Sequence, residues 1–171
     1  MIFKTNDIKY LDPLYDFYNC VIDHQKYDDY SPMWTKDVYP AKDDLKNHLQ
    51  NDCFYIAEDE GNIIGSLCLV KGQEEMYRNA KWSLDCIDDE VLILHLLAIH
   101  PDHRHKGLAK QLLNKVIEDN NDFKAIRLDV VKGNKAASDL YQSVGFKYIG
   151  EHEVHYEDTG DITVDFFEKV I

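Results

Sequence analysis

No stretch of the sequence approaches the roughly 18 consecutive apolar residues that a membrane span needs. The opening MIFKTNDIKY has no apolar run between a basic start and a small-residue cleavage site. The expectation is a soluble, cytoplasmic protein. No C-x-x-C pair occurs: Cys20, Cys53, Cys68 and Cys86 are scattered, without zinc-ligand spacing, and read as free thiols of a reducing compartment. Internal repeats, low-complexity tracts and Pro/Gly/Ser linkers are missing, so residues 1–171 make a single domain. Positive charge is scarce, with 19 Lys and Arg against 32 Asp and Glu, a net charge of −13. That imbalance argues against nucleic acid and anionic membranes as partners.

The charge that is present is unevenly placed. From His100 to Lys115 there are four cations (Arg104, Lys106, Lys110, Lys115) and one acid, Asp102. Glu74 to Glu90 holds six acids against Arg78 and Lys81, and Glu151 to Asp161 holds five acids with no Lys or Arg. One basic island in an acidic chain suggests an anion site beside a surface that favours cations.

Hydrophobic periodicity then orders the elements. Ile2 to Thr5 reads as a short strand, and Asn6 or Asp7 as the cap of a helix with Leu11, Leu14, Tyr15, Tyr18, Val21 and Ile22 on one stripe. Gln25 to Pro40 is aromatic and irregular, and a short helix follows at about Lys42 to Asn51. Cys53 to Ala57 and Ile63 to Val70 are strands joined by the turn Glu60-Gly61-Asn62. Glu90 to Ile99 is apolar on both alternations, the mark of a central strand covered on both faces, with His95 its only polar interior residue. A helix from about Lys106 to Asp119, a strand from Ala125 to Val131, a helix from Lys135 to Val144 and strands at about Phe146 to His155 and Ile162 to Val170 complete the chain. The order β-α-α-β-β-β-α-β-α-β-β gives an α/β fold: a mixed central sheet of about six to seven strands flanked by about four helices.

Pro101 closes the central strand because it cannot donate to a ladder. Between it and the next helix lies Arg104-His105-Lys106-Gly107-Leu108-Ala109. A helix start exposes unpaired N–H groups and a partial positive charge, and the small Gly107 and Ala109 let an anion approach the backbone. The loop is neither a P-loop nor a three-glycine dinucleotide fingerprint.

Arg104-x-x-Gly107-x-Ala109 resembles the Q/R-x-x-G-x-G/A signature of the GNAT family of N-acetyltransferases. A second block, Asn134-x-x-Ala137-x-x-x-Tyr141-x-x-x-Gly145-Phe146, is similar to that family's N-x-x-A-x-x-x-Y-x-x-x-G-F. Ala109 in place of the commoner second glycine, and His105, are departures from the pattern. The resemblance implies the GNAT fold and acetyl-CoA as co-substrate. It places the pantetheine arm on the backbone of Leu97, Ala98 and Ile99. It places the pyrophosphate on the amides from Arg104 through His105, Lys106, Gly107, Leu108 and Ala109 to Lys110. Asn134 and Ala137 would contact the cofactor, and Tyr141 would sit near the sulfur as general acid.

The implied chemistry is transfer of an acetyl group to a primary amine of a small molecule or peptide. A protein N-terminal or lysine acetyltransferase, or a non-catalytic acyl-CoA sensor, are the alternatives; a phenol at Tyr141 favours catalysis. An alkylammonium is only roughly 0.05% deprotonated at pH 7, so a base or water relay is needed. His95 stands where arylalkylamine acetyltransferases of the family carry a histidine, and Asp129 where ribosomal-protein acetyltransferases place a catalytic glutamate. Glu90 is a further candidate at the strand entrance, and the aromatics Tyr27, Tyr30, Trp34 and Tyr39 are candidate walls of the acceptor pocket, Tyr30 and Trp34 foremost. A backbone N–H near Leu97 is the expected oxyanion donor. His95, His100, His103 and His105 lack a matching carboxylate arrangement, so no metal is expected. The acidic surroundings favour a cationic acceptor, and the resemblance allows a homodimer.

Overall fold

The computed structural model of the chain describes residues 1–156 and 160–171. Its strands are β1 (Ile2–Thr5), β2 (Cys53–Asp59), β3 (Asn62–Lys71), β4 (Val91–Ile99), β5 (Ala125–Val131), β6 (Lys147–Tyr156) and β7 (Gly160–Val170). Its α-helices are α1 (Leu11–His24), α2 (Lys42–Asn51), α3 (Glu75–Arg78), α4 (Leu108–Asp119) and α5 (Lys135–Ser143). The strands form one sheet in the order β1-β2-β3-β4-β5-β7-β6. Every neighbouring pair is antiparallel except β4 and β5. Glu157 and Asp158, two acids of the run between Glu151 and Asp161, lie outside the described residues. No helix among the described residues is long and apolar enough to cross a membrane.

The double alternation of β4 is used as its sequence implies. Leu92 and Leu94 pack on one face against Leu112, Leu113 and Val116 of α4, whereas Val91 and Ile93 join Tyr77, Phe166 and Val164 on the other. Each fully buried Leu or Val contributes roughly 1.5–3 kcal/mol, so three on one helical stripe fix α4 to the sheet. Gly65 of β3 lets α4 come this close: a Cβ there would stand 2.9 Å from Ile99 Cδ1 and 3.1 Å from Leu112 Cδ1. A separate core beneath α1 and α2 gathers Leu14, Phe17, Leu45, Leu49, Phe54, Cys68 and Leu96.

Two local outcomes differ from the periodicity. The helix expected from Lys106 begins at Leu108, because Gly107 (φ +76°) and His105 (φ +61°) are left-handed and cannot lie within a right-handed helix. The stretch between β3 and β4 carries the extra helix α3. It is held by stacked rings: Tyr77 lies 5.8 Å from Trp82 and 5.0 Å from Phe166. It is also held by Arg127, which is buried against Glu168 (Nε to Oε1, 3.0 Å), Gln73 and the Leu84 carbonyl.

Candidate active site

The parallel ladder of β4 and β5 joins Val91 to Ala125, Leu92 to Ile126 and Ile93 to Arg127, and no further. Beyond Ile93 the two strands separate. Opposite the gap, β4 is bulged: Ser66 pairs with Ala98 and Cys68 with His95, leaving Leu96 and Leu97 against Leu67 alone. Leu96 takes φ +58°, a costly conformation for a branched side chain, and its carbonyl accepts a 2.8 Å hydrogen bond from the buried Tyr18 hydroxyl. Tyr18, read from the sequence as part of the α1 stripe, thus also fixes the bulge.

A cavity of about 420 Å³ occupies the gap. Leu94 to Leu97 form one wall and Asp129 to Val131 another, with Asn134, Ala137 and Tyr141 from the start and body of α5. Trp34 and Tyr39 close it from the loop after α1, Glu74 from the segment before α3, and His48 from α2. The cavity therefore opens between the face that carries α4 and α5 and the face that carries α1 and α2.

Its titratable groups are paired. His95 Nε2 lies 2.6 Å from Glu74 Oε1; the His95 side chain is 15% exposed and that of Glu74 42%. Burial acts against the imidazolium, but the hydrogen bond and charge of Glu74, with Asp129 and Asp52 behind it, outweigh burial and raise His95 above the usual histidine value. For Glu74 the balance is reciprocal: burial disfavours its charge, and the His95 hydrogen bond overcomes that and lowers it. Asp129 accepts a 2.5 Å hydrogen bond from the Tyr77 hydroxyl. His48 Nδ1 lies 2.9 Å from Asp52 Oδ2. The Tyr141 phenol is 7% exposed and is pushed up first by burial and then by the Asp129 charge. Its ring sits 5.6 Å from Phe146 and 6.3 Å from Phe167.

On the other side of the gap, the first intrahelical bond of α4 runs from Gln111 N–H to the Gly107 carbonyl, 3.1 Å. The amides of Leu108, Ala109 and Lys110 precede it and have no partner within the helix. Nothing lies within 4 Å of where a Gly107 Cβ would be, so the backbone there is open to a bulky anion. His105, Lys106 and Lys110 are exposed around this turn, and Lys106 Nζ donates to the Asp102 carbonyl. These residues suit a diphosphate. Arg104 is engaged elsewhere: its guanidinium donates to Asp28 Oδ1 at 2.6 Å and to the Ile99 carbonyl at 3.4 Å. It ties the end of β4 to the loop after α1. Asn134 caps α5, its side chain accepting from Ala137 N–H at 3.1 Å.

The structure thus brings His95, Asp129, Tyr141, Leu97, Asn134, Ala137 and Trp34 to one cavity. Ala98 and Ile99 continue β4 away from the cavity toward the α4 start. Tyr30 is 51% exposed and is not among the described lining residues; its ring lies near Gly133, just before α5. Glu90 sits at the far end of β4, where it pairs with Lys124 at 2.5 Å and accepts from Ile87 N–H. Sequence reasoning did not single out Glu74, His48 or Tyr77 as site residues. Each lies in a segment without local motif, and each reaches the cavity or its rim through a long-range contact. It also did not bring together His48, Asp52 and Cys68, whose donor atoms lie within 4.8 Å of one another.

A model of the acetyltransferase (GNAT) family matches residues 23–146. The N-acetylaspartate synthetase of Xenopus tropicalis is 33% identical over 105 residues, 60% of this chain and 34% of the relative. Human N-acetyltransferase 8B is 28% identical over 131 residues, 71% of this chain and 53% of the relative. The matched region therefore spans between about a third and about half of the length of these two relatives. A Salmonella typhimurium structure with its cofactor acetyl-CoA superposes with a TM-score of 0.70 at 17% identity, covering 99% of this chain and 92% of that one.

Proposed function

The chain belongs to the acetyltransferase (GNAT) family, and from that premise we propose that it transfers the acetyl group of acetyl-CoA directly to a primary amine of a small molecule or peptide. The observation that carries this reading is the gap between β4 and β5. Along it lies a cavity holding a carboxylate–imidazole pair and a buried phenol, and beyond the end of β4 lies a helix start with unpaired amides that suits an anion.

Acetyl-CoA, bound with its diphosphate on the amides of Leu108 to Lys110 beside Gly107 and its arm along Leu97 to Ile99, supplies an activated acetyl thioester. The protein's own groups do the rest. The Glu74–His95 pair takes the proton of the incoming ammonium at His95, directly or through a water in the cavity. A raised imidazole is a stronger base than a free one, and the Glu74 carboxylate stabilises the imidazolium that results. The Leu97 amide, at the bulge of β4, would donate to the carbonyl oxygen as charge develops there. Tyr141 holds its proton throughout the neutral range and delivers it, or a strong hydrogen bond, to the departing sulfur. Asp129, held by the Tyr77 hydroxyl, adds a carboxylate to the acceptor side.

The direct test combines thiol release with mass detection of acetylated product across a panel of primary amines. Product that depends on both substrates supports the reading. Acetyl-CoA binding without product from any amine overturns it in favour of a sensor.

A further inference from the structure

The chain has three arginines, Arg78, Arg104 and Arg127. Arginine is the side chain whose planar fork matches a carboxylate. Each of the three already holds a carboxylate of this protein: Arg78 pairs with Asp88 (2.9 Å), Arg104 with Asp28 (2.6 Å) and Arg127 with Glu168 (3.0 Å). None of them lines the acceptor cavity, and no lysine is among its described lining residues. The cavity's two imidazoles are matched as well, His95 with Glu74 and His48 with Asp52. Asp129 adds a further carboxylate, which accepts from the uncharged Tyr77 hydroxyl. Its field reaches the surrounding groups, because the Tyr39 phenol, raised chiefly by burial, is raised further by Glu74 and Asp129. Trp34 and Tyr39 add aromatic rings, whose faces attract an ammonium rather than a carboxylate.

Resting on the reading of this cavity as the acceptor site, we infer that it selects amines bearing no carboxylate beside the reacting nitrogen, that is, alkyl and aralkyl amines rather than amino acids of the same skeleton. An α-carboxylate lies about 2.5 Å from the nitrogen it accompanies, so an acceptor amine at His95 would carry its carboxylate into a site whose described lining residues offer no free cation to receive it. A like charge about 6 Å away at an effective dielectric constant of about 20 corresponds to roughly 100-fold in rate.

The test is a comparison of kcat/KM for matched pairs: phenethylamine against phenylalanine, tyramine against tyrosine, and each amino acid against its methyl ester. The expected result is that the amine exceeds the amino acid by about 100-fold and that the ester, uncharged at the same position, recovers most of the difference. The lower basicity of the α-amino group runs against the difference between amine and amino acid, so it cannot produce it; because the ester's amine is less basic still, its recovery is read from kcat/KM expressed per free-base amine. Amino acids used as well as their amines would overturn the inference and leave the acetyltransferase reading standing. Esters as poor as the amino acids would also overturn it, since bulk rather than charge would then be discriminating. Acetylation of none of these compounds, while another amine of the wider panel is acetylated, would also overturn the inference and leave the acetyltransferase reading standing.

Discussion

Replacing Tyr141 with phenylalanine removes one oxygen from the cavity and leaves the ring that packs at 5.6 Å from Phe146 and 6.3 Å from Phe167. The buried aromatic surface is unchanged, so stability should shift by no more than about 0.5 kcal/mol. The loss should fall on the chemical step. A positioned proton donor contributes about 10²–10⁴-fold. Burial and the Asp129 charge push this phenol up, so it is always protonated near neutrality but gives its proton up reluctantly. That places the contribution at the low end, about 100-fold in kcat, or about 2.7 kcal/mol. Steady-state thiol release gives kcat, calorimetric titration gives acetyl-CoA affinity, and a thermal melt gives stability. The expected variant has a much lower kcat with affinity and melting temperature close to wild type. A kcat within threefold of wild type would remove Tyr141 from proton delivery. A fall in kcat that merely tracks lost affinity and lost stability would make it a packing residue.

Three further outcomes follow from the same geometry. His95 serves as a base only after losing its proton, and Glu74 raises it, so the acidic limb of the kcat/KM profile should lie above that of an ordinary histidine. Glu74→Gln leaves burial with less opposition and should move the limb to lower pH, with a lower plateau; a limb that stays in place would exclude the pair as the titrating base. Gly107→Val puts a β-branched residue at φ +76° and a side chain where the anion lies, so acetyl-CoA binding by calorimetry should weaken at least tenfold, and unchanged affinity would contradict the assigned phosphate site. Glu168→Ala leaves the buried Arg127 guanidinium without its carboxylate and should cost about 3–5 kcal/mol in urea unfolding; a loss below about 1 kcal/mol would show that Gln73 and the Leu84 carbonyl suffice.

The parts of the fold that were legible in the sequence are those written in local period. The two apolar alternations of β4, the Leu112-Leu113-Val116 stripe of α4 and the turn at Gly61 each declare their structure within about ten residues. What local period does not carry is a side chain that acts across the fold. Glu74 meets His95 over 21 residues of sequence, from a segment whose apolar neighbours Met76 and Tyr77 follow no repeat. Arg127 and Glu168 are charges inside strands, passed over by an apolar pattern, and they meet across 41 residues. Arg104 matches the motif position expected at the pyrophosphate, yet its guanidinium is taken by Asp28, 76 residues away. The motif points to the turn at Gly107, whose left-handed conformation its glycine makes legible, and leaves open what each side chain does.

The central claim is that the two substrates meet in the gap between β4 and β5. A crystal structure with a non-reactive acetyl-CoA analogue tests it most directly. The account predicts the diphosphate on the amides of Leu108 to Lys110, the arm along Leu97 to Ile99, and the sulfur within hydrogen-bond reach of Tyr141 Oη, with the acetyl group facing His95. A sulfur placed away from Tyr141, or an acetyl group turned away from the His95 cavity, would contradict it.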